Sequence, residues 1–150
     1  MRLSARLKYA VLAMLELALQ YPKRFVSVAE LAEKHGISRP FLEKLLLQLK
    51  QSGLTTSRRG PDGGYSLSVP PNEIRIGDIF EVVEGPVNFT QNFDASSQCD
   101  ATNHCMEGLL QEIEVGICNV LNSRTLQELC CEARKFKQLS QPAHSIPFSI

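Results

Sequence analysis

The 150-residue sequence predicts a mainly α-helical chain with a small β wing, a winged helix-turn-helix followed by a long dimerisation helix. Three features predict it. Two helical patterns, Val28 to His35 and a second opening at Ser38, are separated only by Gly36 and Ile37. Directly after them, Leu54 to Ser57 and Tyr65 to Leu67 read as two short strands around a basic, glycine-rich turn. Further on, Met106, Leu110, Ile113, Ile117 and Val120 recur at spacings of four and three, a coiled-coil seam about two heptads long.

The first helix is expected over Leu3 to Gln20, with Ser4 as its N-cap and Leu7, Val11, Leu12, Leu15, Ala18 and Leu19 on one stripe. Pro22 ends it. The pair Lys23-Arg24 is equally suited to touching phosphate and to a solvated loop. Ser27 caps the next helix with Glu30 three residues on, the spacing of a capping box. Gly36-Ile37-Ser38 forms a tight turn, and Ser38 is placed to cap the following helix. That helix carries Phe41, Leu42, Leu45, Leu46 and Leu49 on a buried stripe and is stopped by Gly53. Its other residues near the N-terminus, Ser38, Arg39, Glu43 and Lys44, together with Phe41, sit where recognition helices meet base edges in the major groove. Arg58, Arg59 and Gly60 open the hairpin turn, and an apolar core does not take unpaired arginines.

After the wing, Pro70-Pro71-Asn72 is a stiff break and Ile76 to Glu84 is a short helix with Ile76, Ile79, Phe80 and Val83 inward. Val87 to His104 has no period, which marks either a functional loop or a disordered one. Met106 to Asn122 is the seam helix, either buried against its own domain or paired with a second copy; pairing is the expectation. A last helix runs from Thr125 to Leu139, capped by Ser123 or Thr125, and the tail from Ser140 is expected to be loose. The organisation is therefore a DNA-binding domain over 1–84, a sensor loop over 85–105, dimerisation helices over 106–139 and a tail over 140–150.

The totals agree with one globular domain: 43% hydrophobic and 21% charged residues, without an apolar run near the ~18 residues of a membrane span. No secretory pattern opens the chain, so a cytoplasmic protein is expected. Net charge is zero but unevenly spread. Residues 1–65 hold 11 Lys/Arg against 5 Asp/Glu, a net +6, and the remainder carries −6. A basic front and an acidic rear orient a molecule on a polyanion. The chain lacks a Ser/His/Asp set, paired carboxylates and a dinucleotide fingerprint, and Gly60 to Gly64 lacks the Lys-Ser/Thr ending of a phosphate loop. No enzyme is expected.

The opening MRLSARLKYAVLAML, the GISRPFLEKLL at Gly36 to Leu46 and the RGPDGGY at Arg59 to Tyr65 resemble the IscR-like branch of the Rrf family of bacterial winged-helix transcription regulators. The resemblance runs to about Leu129. It implies a homodimer whose second motif helix enters the major groove of a palindromic operator while a wing arginine reaches the minor groove. It also implies a sensor, which in many members is an iron–sulfur cluster. Cys99 and Cys105 match two of the family's three cysteine positions, so a 2Fe-2S cluster on these two is the cofactor expectation, its further ligands unassigned. Phe93 stands at the first cysteine's place, Gly108 at the histidine's and Lys8 at the acidic ligand's.

Five cysteines without an export signal speak against a disulfide framework and leave metal binding, a thiol redox switch or burial. Cys105, at the start of the seam helix, would have its thiolate favoured by the helix dipole. Cys118 lies 13 residues on, about 20 Å along a helix, too far to share its site within one subunit if that helix is continuous, although an antiparallel partner would bring it closer. Cys130 and Cys131 are expected to be inert and buried. The reading is a sequence-specific DNA-binding regulator, a repressor by expectation, that senses cluster or redox status. The alternatives are a cofactor-free or thiol-redox regulator, a winged helix used for protein contact, and a small redox carrier.

Overall fold

The computed structural model describes residues 4–91 and 100–140. Six helices and one hairpin follow in the expected order: α1 Ala5–Gln20, α2 Val28–His35, α3 Arg39–Gln51, β1 Thr55–Arg58, β2 Gly64–Leu67, α4 Ile76–Glu84, α5 Ala101–Ser123 and α6 Leu126–Ser140. A 3₁₀ turn at Pro71–Glu73 occupies the expected stiff break. The expected loose tail, from residue 141 onward, lies outside the described residues, as do Cys99 and Phe93.

Local chemistry sets the boundaries. Ser4 and Ser27 accept the N–H of Leu7 and Glu30 at the starts of α1 and α2. The expected capping box at α2 is half made, because the Glu30 carboxylate turns to Arg24 instead of returning to Ser27. Ser38 occupies the N-cap of α3 with an extended backbone but makes no side-chain cap bond. At the far end of α3, Gly53 (φ +83°) lets the N–H groups of Gly53 and Leu54 reach back to the Lys50 and Leu49 carbonyls, each at 3.0 Å. That left-handed residue releases the chain straight into β1, with helix carbonyls satisfied. At α6 the box is complete: Thr125 Oγ1 accepts from the Glu128 N–H, and the Glu128 carboxylate accepts from the Thr125 N–H.

The core lies between α1 and the motif helices. Leu42, Leu45, Leu46 and Leu49 of α3 meet Met14 and Leu17 of α1, Leu31 of α2, Ile79 of α4 and Leu126 and Cys130 of α6 in one buried cluster. The buried stripe of α1 differs from the expected one. Leu7, Ala10, Ala13, Met14, Leu17 and Ala18 face inward, while Val11, Leu12, Leu15 and Leu19 are only half-buried. Alanines at 10 and 13 let α1 approach its neighbours closely, which a rule that counts only large apolar residues overlooks.

Two backbone stitches fix the layout. Val26 and Tyr65 exchange N–H···O bonds of 2.8 Å each, so the segment before α2 adds a third edge to the wing. The Ile76 N–H donates to the Arg124 carbonyl at 3.1 Å and the Leu126 N–H to the Ile74 carbonyl at 2.8 Å, joining the start of α4 to the start of α6. Between these points α5 has no buried residue. It begins at Ala101, five residues before the expected start, with Asp100 at its N-cap. The expected irregular loop is shortened accordingly, and Cys105 sits in the second turn of the helix instead of at its start.

Candidate nucleic-acid interface

α2, the turn at Gly36 (φ +62°, ψ +34°) and α3 form the helix-turn-helix, and β1–β2 form the wing beside it. With the apolar side of α3 buried, Ser38, Arg39, Glu43 and Lys44 are exposed on the other side. Among the described residues Glu43 has neither an ion-pair nor a hydrogen-bond partner, and Arg39, one turn before it, does not pair with it. Phe41 behaves differently from the expectation that placed it at base edges. It is half-buried, with its ring edge-on to Tyr9 at a centroid distance of 5.9 Å and an interplanar angle of 82°. Its ring therefore fixes α3 against α1. Leu47, one turn beyond Glu43 and 48% exposed, shares the outward face. Sequence reasoning missed it, although a leucine outside the buried stripe was the available signal.

In the wing, β1 and β2 pair antiparallel in the register Thr55↔Leu67, Thr56↔Ser66, Ser57↔Tyr65 and Arg58↔Gly64. The turn is closed by the Gly63 N–H donating to the Gly60 carbonyl at 3.0 Å. The two arginines then part company. The Arg58 guanidinium lies 4.3 Å from the centroid of the Phe25 ring and donates to the Asp62 carbonyl at 3.1 Å. Arg59 is exposed and makes no ion pair or hydrogen bond among the described residues. The stacked pair walls a cleft of about 470 Å³ shared with Lys23, Arg24 and Glu30. Arg24, one of the two loop cations weighed for phosphate, forms a two-pronged ion pair with Glu30, bonds of 2.9 and 2.6 Å. The Arg24 hydrogen bonds hold the Glu30 carboxyl below its ordinary value, with burial of the carboxyl working the other way.

The cysteines do not converge. Cys105 is exposed on α5, Cys118 half-buried on α5 beside a cleft lined by α4, Cys130 buried and Cys131 exposed on α6. Cys131 therefore departs from the expectation of a buried, inert pair, because successive helical positions point about 100° apart and only one can face the core. Since α5 is continuous, Cys118 cannot join Cys105 within one chain. Among the described residues no group of three or more His, Cys, Asp or Glu is gathered to hold a metal ion. The donors present in the described part of one chain do not fit an iron–sulfur cluster. The Glu114 carboxylate, unforeseen from sequence, accepts the backbone N–H groups of Phe89 and Thr90 and so ties the segment leaving α4 to the middle of α5.

A helix-turn-helix with an exposed second helix and an arginine-tipped wing defines a winged-helix, DNA-binding transcription regulator. The chain belongs to the Rrf2 family, described as iron-dependent transcriptional regulators, whose family model matches residues 3–132. It is 37% identical over 130 residues to the HTH-type transcriptional regulator IscR of Pectobacterium atrosepticum, across 86% of this chain and 79% of that one. Among solved structures it is similar to CymR, the global cysteine regulator of B. subtilis, with a TM-score of 0.76 and 30% identity over 88% of this chain and 98% of that one. It is also similar to T. potens IscR, with a TM-score of 0.71 and 34% identity over 95% and 94% of the two chains. The relatives are named as regulators, and the protein is not an enzyme. No helix among the described residues is long and apolar enough to cross a membrane.

Proposed function

We propose that the protein acts in the cytoplasm as a homodimer on a palindromic duplex operator, with α3 of each subunit in the major groove and Arg59 in the adjoining minor groove. The observation that carries this reading is the pairing of one exposed helix face, Ser38, Arg39, Glu43 and Lys44, with a wing whose Arg59 is unpartnered among the described residues. A narrow minor groove concentrates negative potential and attracts such a guanidinium. The dimer reading is supported by α5, which leaves Met106, Leu109, Ile113 and Val120 between 42% and 69% exposed. An exposed apolar helix face of this kind marks a protein–protein contact. The test is selection of duplexes from a random pool, followed by salt titration of the enriched site. A two-fold symmetric consensus and a steep salt slope are expected, and absence of enrichment would reject the reading.

A sensory role for Cys99 and Cys105 is the second reading. It is supported by the family's description as iron-dependent and by the IscR relatives, and by the exposure of Cys105 on the helix that follows the loop. A 2Fe-2S cluster would need further donors from outside the described residues or from a second subunit, whereas a thiol switch needs only the two cysteines. Anaerobic reconstitution of wild type and a Cys99→Ala/Cys105→Ala variant, with bound iron, sulfide and operator affinity measured together, separates these. Iron held by wild type alone supports the cluster. Oxidant-sensitive affinity without iron supports the thiol switch, and affinity indifferent to both rejects a sensor at these residues.

A further inference from the structure

Arg58 and Arg59 are neighbours in sequence and are equally charged, yet the fold uses them differently. One face of the Arg58 guanidinium is covered by the Phe25 ring, 4.3 Å from its centroid, and one of its N–H groups is spent on the Asp62 carbonyl across the wing turn. Phe25 is half-buried and immediately precedes Val26, whose backbone is bonded both ways to Tyr65 of β2. The stacked pair thus fastens the end of β1 to the same short segment that already holds β2.

We propose that Arg58 is a positioning residue: clamped between Phe25 and the Asp62 carbonyl, it sets the angle of the wing so that Arg59 alone is presented to DNA. This rests on the reading of the face as a DNA interface. A cation over an aromatic ring at an exposed site stabilises modestly, so loss of the clamp lowers DNA affinity by about two- to five-fold. A direct phosphate ligand behaves differently in one measurable respect. Each phosphate neutralised contributes about 0.9 to the slope of log affinity against log salt concentration. A positioning arginine contributes no such increment.

The experiment uses the duplex enriched by the wild-type protein and measures affinity at several salt concentrations for wild type, Arg58→Ala, Arg59→Ala, Phe25→Leu and the Arg58→Ala/Phe25→Leu double variant. Arg59→Ala is expected to flatten the slope by about 0.9, the increment of one phosphate. Arg58→Ala and Phe25→Leu are expected to weaken binding to similar extents with the wild-type slope, and the double variant to lose no more than either single one, because both remove the same contact. Should Phe25→Leu prove poorly folded, the Arg58 arm still decides, since Arg58 is an exposed residue outside the core. An Arg58→Ala slope flattened like that of Arg59→Ala would overturn the proposal, as would unchanged affinity or losses that multiply in the double variant. Failure of wild type to enrich any duplex would instead overturn the DNA reading itself, and this inference with it.

Discussion

Gly64 and Val26 approach so closely that a β-carbon on Gly64 would collide with the Val26 carbonyl. Gly64 also has φ +140°, outside the range of ordinary side chains. The contact is where the wing meets the body of the protein. Gly64→Ala is expected to cost about 1–3 kcal/mol through backbone strain and to swing the wing away from α3. Thermal melting should show a lower midpoint with helix content retained, and binding to the enriched duplex should fall more than melting alone explains.

Glu43 projects from α3 without a partner among the described residues, on the face proposed to meet DNA. A carboxylate there is tolerated when it accepts from a cytosine amino group. Glu43→Ala should relax the base preference at one position of each half-site, a loss of about 1–3 kcal/mol in discrimination, while binding persists. Repeating the selection with the variant is the check; an unchanged consensus would remove Glu43 from the reading residues.

Ile113 occupies the middle of the exposed seam of α5. Ile113→Lys would place a charge in the proposed subunit interface, where it has no counter-charge supplied by the seam. A shift to monomer in sedimentation is expected, with affinity for the two-fold site falling by about 10²–10⁴-fold as the second half-site contact ceases to be intramolecular. A variant that remains dimeric would place the interface elsewhere.

The thiols should report their surroundings. Cys105 and Cys131 are exposed, whereas Cys130 is 1% exposed and burial pushes its thiol above the ordinary value, with the Arg134 charge opposing this. A raised thiol pKa keeps Cys130 protonated and unreactive at neutral pH, and its reactivity should rise only as alkali or unfolding exposes the thiolate. Timed alkylation followed by peptide mass spectrometry should label Cys105 and Cys131 first and Cys130 last.

Thr55 Oγ1 is buried at the base of the wing without a hydrogen-bond partner among the described residues. Valine has the same shape without the orphaned hydroxyl. Thr55→Val is therefore expected to stabilise the protein by about 1 kcal/mol or more in denaturant unfolding, and a destabilised variant would mean the hydroxyl is satisfied in solution.

Much of this architecture was legible because its signals are local. Ser27, Gly36 and Gly85 bracket α2 and α4 at the boundaries expected from sequence, since caps and glycines act on the residues beside them. The start of α5 was missed because Ala101 to His104 is polar and lacks a period. What pairs across distance was invisible: Val26 with Tyr65, Arg75 with Thr125, and Phe25 under Arg58 are single contacts with no repeat to betray them. The same limit separated the two arginines. Their composition advertises a basic wing, but only the packing says which one is occupied.

The join between Ile76 and Arg124 gives α5 the mechanics of an oar. Its C-terminal end is pinned at the rowlock, where Arg75 also grips the Asn122 carbonyl. The blade, 23 residues long, extends about 34 Å toward Ala101. Over such a length a tilt of roughly 10° sweeps the far end through about 6 Å, while the pinned end barely travels. A tilt applied at Ala101 would thus arrive beside α4, which packs on α3, as a much smaller movement.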